Sequence, residues 1–555
     1  MVSRGVSWAS PSLLQFRDPN QFIANNLHNH LAAWESIVDS QASTPNLDIC
    51  KVIREGVKVQ EFFAPFRGSF QGVTYDSDTP PRKVLPNARS CSDFTDFITR
   101  TILDRVKNGS LIVWGKADKV APPHLVMPLT IELNKPRMCH DERFLNHWIK
   151  DCPFKLDYIT DLPRYVGIDH FQTTFDDKSG YDHVGLHPSS RTFFGLEWNG
   201  WYFVYTTLPF GWKASAFIYN SVGLAASSFI RTLGVPCTQY IDDRHVGQLR
   251  LNSSHLFSNL QLSEMASFIA CSVLVFLGYF IGLKKSSLKP MREVRFLGYI
   301  CDSRKQAFIL PQDKRLKFAN LRESILSQKS VSLKNLQKFS GKTTSFSLLV
   351  PAAKLFSNYA YQAISRAQRS SSSQIRITDA LRSELLHWRF LDSWSGFLPW
   401  KDEKHTNVTV HSDASNTGWG GVVDLPGKPH KVFRGLWDED SRQFPIVVKE
   451  AKALLFTLES ALVDVFNARI DVFIDNKTFL HSWERQTSKS PLITDTMKQL
   501  FKMCMARNLS LSMQFVPSHA NIADGPSRTV SDLDASLSPN AWRKVKLLRS
   551  IWRCS

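Results

Sequence analysis

Two runs of β-forming residues in the first half of the chain each end in a pair of aspartates. The first begins with the strand-like residues 165–168 and reaches Asp176 and Asp177, and the second reaches Asp242 and Asp243. If the two strands lie side by side, their carboxylates meet at one edge of a sheet, where they do not all ionise without a cation between them. Carboxylate oxygens favour Mg²⁺ as that cation. An isolated Asp-Asp pair is more typical of a hairpin turn, so the neighbouring motifs decide between the two interpretations.

Four further motifs surround these aspartates in a fixed order. They are residues 128–146 (PLTIELNKPRMCHDERFLN), 208–215 (LPFGWKAS), 282–286 (GLKKS) and 295–299 (RFLGY). In this order, the motifs resemble the fingers and palm of a reverse transcriptase. The resemblance implies two metal ions, Mg²⁺ or alternatively Mn²⁺, about 3.5–4 Å apart, which activate a primer 3′-hydroxyl and stabilise the leaving pyrophosphate.

The resemblance also implies roles for individual residues. Asp176, Asp242 and Asp243 would hold the metal ions. The residues that would bind the incoming dNTP are Arg137, Lys135, Ser179, Tyr181, Phe210 and Lys285. The residues that would contact primer or template are Leu208, Pro209, Gly211, Phe296, Leu297 and Gly298.

Four of the nucleotide-binding candidates carry a specific expectation. Arg137 matches a triphosphate-binding arginine, whose planar fork suits phosphate. Tyr181 matches an aromatic gate against a ribose 2′-hydroxyl, and the alternative is a tyrosine packed in the palm. Phe210 stands where retroviral enzymes carry Gln, so retroviral-style contacts are not expected of it. Lys285 matches a lysine that gives a proton to pyrophosphate, and the alternative is a solvated surface lysine.

A second set of acidic residues follows in the last third of the chain. Asp413 ends the first strand of a strand–turn–strand pattern, Glu450 lies early in a helix, Asp475 ends a short strand, and Asp524 lies in a loop. Any one of them alone is typical of a surface residue. Together, in this order, they resemble the four-carboxylate site of the RNase H fold, where two Mg²⁺ ions activate water against RNA. His519 resembles the mobile histidine of some such enzymes, although it lies only five residues before Asp524.

The positive charge is concentrated in one region. The chain has a net charge of +18, and residues 281–400 contain 21 Lys and Arg against 7 Asp and Glu. Such an excess indicates a polyanionic partner. Under the resemblance, this region is where the template–primer duplex passes between the two sites, so RNA, DNA and the RNA–DNA hybrid are the expected partners.

Other features concern the compartment. Nine cysteines occur without a CxxC pair, which argues against zinc ribbons and a disulfide scaffold. The start of the chain lacks the apolar region of a signal peptide. Residues 265–283 imitate a membrane span, but a buried helix running into a buried strand fits equally well. The expectation is an intracellular protein of the nucleus or cytoplasm that is neither secreted nor bound to membranes.

Several peripheral motifs are similar to those of DIRS-type retrotransposons, which encode a tyrosine recombinase. They are residues 29–37 and 52–59, the form VPSHANIADGPSR at 516–528, and residues 537–542. A gypsy-type or pararetroviral polymerase is the neighbouring alternative. The chain resembles a polymerase module without its recombinase, or a truncated reading frame, and a recombinase is an expected partner. The sequence does not predict an oligomeric state.

The expected fold class is α+β: a right-hand polymerase with fingers, palm and thumb, then a connection and an RNase H-like α/β domain. The expected segments are a lead-in over 1–90, fingers and palm over 91–300, a basic and mainly helical thumb and connection over 301–400, the RNase H-like domain over 401–530 and a basic tail over 531–555. The expected function is that of an RNA-directed DNA polymerase with RNase H activity. The alternative is a domesticated or decayed polymerase fold that binds nucleic acid without catalysis.

Overall fold

The computed structural model describes residues 16–38, 47–132, 136–252, 254–350, 352–393, 397–400, 406–463 and 465–528. The chain divides into two compact units. The first comprises Met1–Pro311 and Phe397–Trp400, and the second comprises Gln312–Gly396 and Lys401–Ser555. Lys135 and residues 537–542, both singled out in the sequence, lie outside the described residues.

Strands and helices alternate irregularly along the chain. The strands are β1 (Phe66–Phe70), β2 (Val73–Ser77), β3 (Lys83–Val84), β4 (Leu111–Lys116), β5 (Leu125–Val126), β6 (Leu129–Ile131), β7 (Met138–His140), β8 (Gln172–Asp176), β9 (Gly195–Trp198), β10 (Trp201–Tyr205), β11 (Cys237–Tyr240), β12 (Asp243–Val246), β13 (Ser287–Met291), β14 (Glu293–Phe296), β15 (Tyr299–Asp302), β16 (Ala307–Ile309), β17 (Ser330–Ser332), β18 (Gln374–Arg376), β19 (Phe397–Pro399), β20 (Thr406–Ala414), β21 (Gly418–Asp424), β22 (Lys431–Leu436), β23 (Ala468–Ile474) and β24 (Leu509–Phe515). The helices are α1 (Leu31–Ile37), α2 (Ile49–Glu55), α3 (Thr95–Asn108), α4 (Arg143–Asn146), α5 (Ser215–Thr232), α6 (Asn259–Phe276), α7 (Gln312–Leu326), α8 (Leu333–Ser345), α9 (Asn358–Arg369), α10 (Asp379–His387), α11 (Phe390–Ser393), α12 (Glu439–Arg442), α13 (Ile446–Ala461), α14 (Lys477–Arg485), α15 (Pro491–Arg507) and α16 (Asp524–Arg528).

One four-stranded sheet of the first unit carries the first set of aspartates. Its strand order is β11-β12-β8-β13, and neighbouring strands are antiparallel. All five residues of β8 are buried, because helices α5 and α6 pack against the sheet and the hairpin β14–β15 contacts β8. A second sheet, in the order β3-β5-β9-β10-β4, lies in the same unit.

The prediction of a strand at residues 165–168 is wrong. A 3₁₀ turn over Ile159–Arg164 precedes this segment, and the strand that carries Asp176 begins at Gln172. Asp169 adopts a positive φ of 59°, which an extended strand does not contain. The amide of Gly167 donates to Nδ1 of His170 at 3.0 Å, which closes a local turn. This turn explains why the run of β-forming residues does not continue as one strand.

The membrane-like segment 265–283 begins inside α6. Among the described residues, α6 is the helix long and apolar enough to cross a membrane, by length and composition only, and 44% of it is buried. A capping box between Ser258 and Gln261 starts the helix, and it contacts α5, β8, β12 and β13. After Gly278, with φ of 95°, the chain forms a single bridge between Ile281 and Asp177. The segment is thus a core helix followed by a short extended stretch.

The second unit begins with helices and ends with a mixed sheet. Its helices are α7 to α11, and α8 and α9 contact the two-stranded pair β17–β18. The sheet order is β22-β21-β20-β23-β24, with β20 antiparallel to β21 and parallel to β23. Helix α13 packs on β20 and β21, and α15 packs on α13 and β24. This is the RNase H-like α/β arrangement expected from the sequence, and the α+β fold class is confirmed.

Candidate active sites

The two aspartate pairs of the first unit lie on neighbouring strands. In the pairing of β8 with β12, Asp176 stands directly opposite Asp243. Asp242 lies in the turn between β11 and β12, where Ile241 has a φ of 56°. The amide of Asp177 donates to the carbonyl of Asp242 at 2.9 Å. Three candidate metal ligands therefore stand at one end of the sheet.

The carboxylates of this first site carry more negative charge than the protein offsets. Burial raises the pKa of Asp243 to about 6, and the neighbouring Asp242 and Asp176 add to the shift. Burial also raises the pKa of Asp242. The counter-charge is Lys285, whose Nζ lies 2.9 Å from Oδ1 of Asp176, and this hydrogen bond raises the pKa of the lysine. Lys285 thus contacts a candidate metal ligand through a side chain that is 73% exposed.

An all-oxygen donor set with unbalanced negative charge fits Mg²⁺ or Mn²⁺. Within the described ranges, no three His, Cys, Asp or Glu side chains converge as a ready-made metal cage. Mg²⁺ is commonly bound by one or two carboxylates together with substrate phosphates and water, so an open set is compatible with it. The residues that could hold metal here are Asp176, Asp242 and Asp243.

Gly282 sits against the first of these ligands. Its amide donates to the carbonyl of Asp176 at 2.7 Å, and a Cβ added at Gly282 would lie 2.4 Å from Oδ2 of Asp176. The amide of Asp176 donates to the hydroxyl oxygen of Ser286 at 2.9 Å. In the GLKKS motif, Gly282 therefore leaves space for the Asp176 carboxylate and donates a backbone hydrogen bond to this residue, and Lys285 places its ammonium beside the carboxylate.

Replacing Gly282 with Ala is expected to lower primer extension by about 100-fold, because a displacement of about 1 Å at a reacting group costs that much. The clash falls on the end of a movable side chain, so the melting temperature should change little. Gly341→Ala is the matched control, since a Cβ there meets nothing within 4 Å. Steady-state extension rates and thermal melting of the two variants provide the comparison, and equal rates would contradict this account of Gly282.

The gate candidate Tyr181 lies within an aromatic cluster. Its ring is 4.7 Å from that of Phe210 and 5.5 Å from that of Tyr219. Phe210 is 58% exposed, and Ser179 takes a left-handed conformation with φ of 57°. Tyr181 is therefore packed from two sides, and burial together with the charge of Asp242 raises the pKa of its hydroxyl. Arg137 is exposed.

The LPFGWK motif is held by the earlier DERFLN motif. Asn146 donates through Nδ2 to the carbonyl of Gly211 at 2.8 Å, and its Oδ1 accepts from the amide of Lys213 at 2.8 Å. Gly211 has a φ of 97°, and a Cβ there would lie 2.6 Å from a backbone oxygen. Leu208 is buried, and the carbonyl of Pro209 accepts from a serine hydroxyl. In the described structure these three primer/template candidates shape the loop beneath Phe210.

The remaining primer/template candidates form the turn of the hairpin β14–β15. Phe296 is buried, with its ring centroid 5.5 Å from that of His245. Leu297 and Gly298 both have positive φ, 47° and 82°. A two-residue turn of this kind matches the twist of a hairpin. Leu297 and Gly298 are thus the partly exposed tip, while Phe296 anchors it.

The second carboxylate set lies on the sheet and helices of the second unit. Asp413 is on β20 and is 4% exposed, and Glu450 is on α13. Asp475 follows the last residue of β23, which is parallel to β20. Asp524 begins the short helix α16 and does not lie in a loop as expected. Burial raises the pKa of Glu450 to about 7, with Asp475 and Asp413 adding to it, and burial raises the pKa of Asp413.

Glycines at the start of β21 let α16 approach the sheet. A Cβ at Gly420 would lie 2.5 Å from the amide nitrogen of Ser527, and one at Gly418 would lie 2.6 Å from a carbonyl oxygen of β22. The hydroxyl of Ser527 donates to Oδ2 of Asp413 at 2.5 Å. Asn521 donates to the carbonyl of Ser412 at 3.0 Å. The last motif is thereby fixed next to Asp413.

Sequence reasoning did not find the polar partners of these acids. Asn476 donates to Glu450, the hydroxyl of Ser518 donates to Asp475 at 2.7 Å, and Ser527 donates to Asp413. Each partner lies within or beside a quoted motif, yet all three contacts join parts of the chain that are far apart in sequence. His519 is exposed in a 3₁₀ turn over Ser518–Ala520. The acids form an open oxygen set that could also hold Mg²⁺.

Replacing Glu450 with Gln is expected to stabilise the metal-free chain by about 1–2 kcal/mol at pH 8, after allowance for partial solvent exposure. The folded-state pKa of this acid is about 7 against a usual value of 4.5. Its ionised form therefore destabilises the fold increasingly as the pH rises from about 4.5 through 7, and the gain should be absent at pH 4. Calorimetry in EDTA should show a melting temperature about 2–6 °C higher at pH 8.

Glu484→Gln is the control for this change, since Glu484 is 56% exposed and pairs with His481 at 3.2 Å. Added Mg²⁺ should raise the melting temperature of the wild type more than that of Glu450→Gln. A Glu450→Gln chain that melts at or below the wild-type temperature at pH 8 would contradict the electrostatic account of this cluster.

Comparisons with known proteins find a partial match. No family model matches the chain. Over 161 residues, 29% of the chain, it is 27% identical to Protein P of duck hepatitis B virus, strain Germany/DHBV-3, and the match spans 18% of that protein's length. A foamy viral protease-reverse transcriptase in complex with RNA/DNA hybrid is 17% identical with a TM-score of 0.48, over 95% of this chain and 67% of that chain. The same protein with dsDNA gives 18% identity and a TM-score of 0.45, over 91% of this chain and 99% of that chain. The similarities found are to reverse-transcriptase-related viral proteins.

Proposed function

We propose that the chain is an RNA-directed DNA polymerase with RNase H activity, which copies a retroelement template and degrades RNA in the resulting hybrid. The observation that carries the proposal is the placement of Asp176 opposite Asp243, with Asp242 in the adjoining turn. The second set of acids, on β20, α13, β23 and α16, supports the nuclease part.

In the polymerase site, Asp176, Asp242 and Asp243 would hold two Mg²⁺ ions. Such ions, when bound, activate a 3′-hydroxyl and stabilise the charge on the leaving pyrophosphate. Lys285 is placed 2.9 Å from Asp176, where it can donate a proton to the departing phosphate. Tyr181, packed on Phe210 and Tyr219, limits the space beside the sugar. Arg137 is exposed, and its planar guanidinium would bind the triphosphate of a dNTP.

In the nuclease site, Asp413, Glu450, Asp475 and Asp524 would hold the metal ions. The ions, when bound, supply an activated water for attack on an RNA phosphodiester. Ser527, Asn476 and Ser518 orient three of the four carboxylates through hydrogen bonds. The chain's own contribution is therefore a fixed set of oxygen ligands.

The proposed partners are an RNA or DNA template–primer, the RNA–DNA hybrid and dNTPs. The excess of 21 Lys and Arg over 7 Asp and Glu in residues 281–400 supports binding to phosphate backbones. A DIRS-type origin, with a tyrosine recombinase as partner, rests on the motifs at residues 29–37, 52–59 and 516–528. An intracellular location and the five-segment domain division remain predictions.

The test is primer extension on poly(rA) annealed to oligo(dT), with dTTP and Mg²⁺. The expected result is a ladder of extended primers that disappears when EDTA is added. A second reaction with an RNA–DNA hybrid should give RNA fragments but leave free single-stranded RNA intact. Binding of the duplex without extension or cleavage, in Mg²⁺ and in Mn²⁺, would favour the alternative of a polymerase fold without catalysis.

A further inference from the structure

A fully buried ion pair lies directly behind the carboxylates of the polymerase site. Asp177 follows Asp176 at the end of β8, and Arg244 follows Asp243 on β12. Successive side chains of a strand point to opposite faces, so Asp177 and Arg244 face away from the candidate metal ligands. Nη1 of Arg244 donates to Oδ1 of Asp177 at 2.5 Å, and neither side chain is exposed.

Helix α5 completes this arrangement. The hydroxyl of Tyr219 donates to Oδ2 of Asp177 at 2.5 Å, and Nε of Arg244 donates to the hydroxyl of Ser227 at 3.3 Å. The guanidinium lies over the ring of Tyr279, 5.1 Å from its centroid. Helix α5 thus contacts both members of the ion pair, Asp177 through Tyr219 and Arg244 through Ser227.

Stability alone does not account for an ion pair in this place. Burying two charges costs desolvation, and an apolar pair of similar volume is often at least as stabilising. Arg244 and Tyr219 instead donate to different oxygens of Asp177, and the two charge-assisted hydrogen bonds together fix the position of that carboxylate. What the pair specifies is the separation of β8 and β12 where Asp176 and Asp243 face each other.

We propose that Arg244, Asp177 and Tyr219 form a positioning clamp that holds Asp176 and Asp243 at the separation required to bind a pair of divalent cations. The proposal rests on the proposed polymerase function for its activity readout. It predicts that loosening the clamp weakens cation binding, while the active-site side chains themselves remain in place.

The test uses the full chain with Tyr219→Phe, which removes the hydroxyl donor to Asp177 but keeps the ring that packs on Tyr181. The Mg²⁺ concentration for half-maximal primer extension should rise roughly tenfold, the size of one lost hydrogen bond to a charged group. At saturating Mg²⁺ the rate should recover, and discrimination against ribonucleotides should be unchanged. Tyr75→Phe is the control, because the buried hydroxyl of Tyr75 has no hydrogen-bond partner within the described part of the chain.

A second readout does not depend on activity. Mn²⁺ binding to the chain with bound template–primer is measured by electron paramagnetic resonance in an Asp413→Asn, Asp475→Asn background, which removes ligands of the nuclease site. Tyr219→Phe should weaken the binding by a similar factor of about ten. The paired change Asp177→Asn with Arg244→Met, which leaves no lone buried charge, should weaken it further at a melting temperature near that of the wild type.

Each of these measurements tests whether the proposed clamp exists. Unchanged Mn²⁺ binding and unchanged Mg²⁺ half-saturation in the folded variants would overturn it. So would an extension rate that falls by the same factor at every Mg²⁺ concentration, since that outcome marks a merely structural role. If the wild type does not extend primers, the proposed function fails, and Mn²⁺ binding alone then decides the clamp.

Discussion

Replacing Asp242 with Asn is expected to reduce primer extension by at least about 1,000-fold, because a bound metal supplies several kcal/mol of charge stabilisation. Asp242 stands in the turn between β11 and β12, and its pKa is raised by burial and by Asp177 and Asp176. Removing its charge relieves repulsion among the carboxylates, so the melting temperature should not fall. RNase H cleavage of a preformed hybrid should continue, since its ligands lie in the other unit.

Asp169→Asn is the matched control for this prediction. Asp169 lies in the same unit and pairs with Arg292 at 3.2 Å through a side chain that is 53% exposed. Asn tolerates its positive φ of 59°, and an exposed pair contributes at most about 1 kcal/mol. The control should extend primers at close to the wild-type rate. Extension by Asp242→Asn within tenfold of this control would show that Asp242 is not a metal ligand.

Replacing Asp413 with Asn is expected to reduce the cleavage of RNA in a hybrid by at least about 1,000-fold, because the change removes a metal ligand. Asp413 is 4% exposed, accepts from Ser527 at 2.5 Å and has a pKa raised by burial. Asn keeps the shape of the side chain, so the sheet should remain intact. Primer extension should be unaffected because Asp176, Asp242 and Asp243 lie in the first unit.

Asp471→Asn provides the comparison for Asp413→Asn. Asp471 lies on β23 beside β20, where it pairs with Arg469 at 3.1 Å outside the acidic set. The Asp471→Asn chain should cleave the hybrid at the wild-type rate. If Asp413→Asn lost primer extension as well as cleavage, the two sites would not be independent.

The carboxylates themselves were predictable from the sequence. Each follows an apolar run that has to be buried, so strand and helix patterns alone place Asp413, Glu450 and Asp475 at their positions in the second unit. The adjacency of Asp176 and Asp243 was expected only on the condition that their two strands pair, and β8 and β12 do pair. The chemical roles of these acids remain predictions from the resemblance.

The sequence did not reveal the contacts that depend on which face of a strand packs against a helix. In the sequence, Asp177 and Arg244 are simply an acidic and a basic residue next to the candidate metal ligands. In the fold they form a buried ion pair that contacts α5. The strand expected at residues 165–168 failed because the positive φ of Asp169 is set by local turn geometry. Gly282 could be recognised as a glycine in a motif, but only the fold shows that Asp176 occupies the space of its missing Cβ.

Under the proposed function, one chain carries two independent carboxylate sites that act on the same nucleic acid. A single reaction tests it, with a DNA primer labelled at its 5′ end annealed to an RNA template with a second label, in Mg²⁺ and dNTPs. The wild type should lengthen the primer and fragment the RNA, Asp242→Asn should only fragment the RNA, and Asp413→Asn should only lengthen the primer. A wild-type chain that binds the duplex yet leaves both labelled strands unchanged would contradict the account.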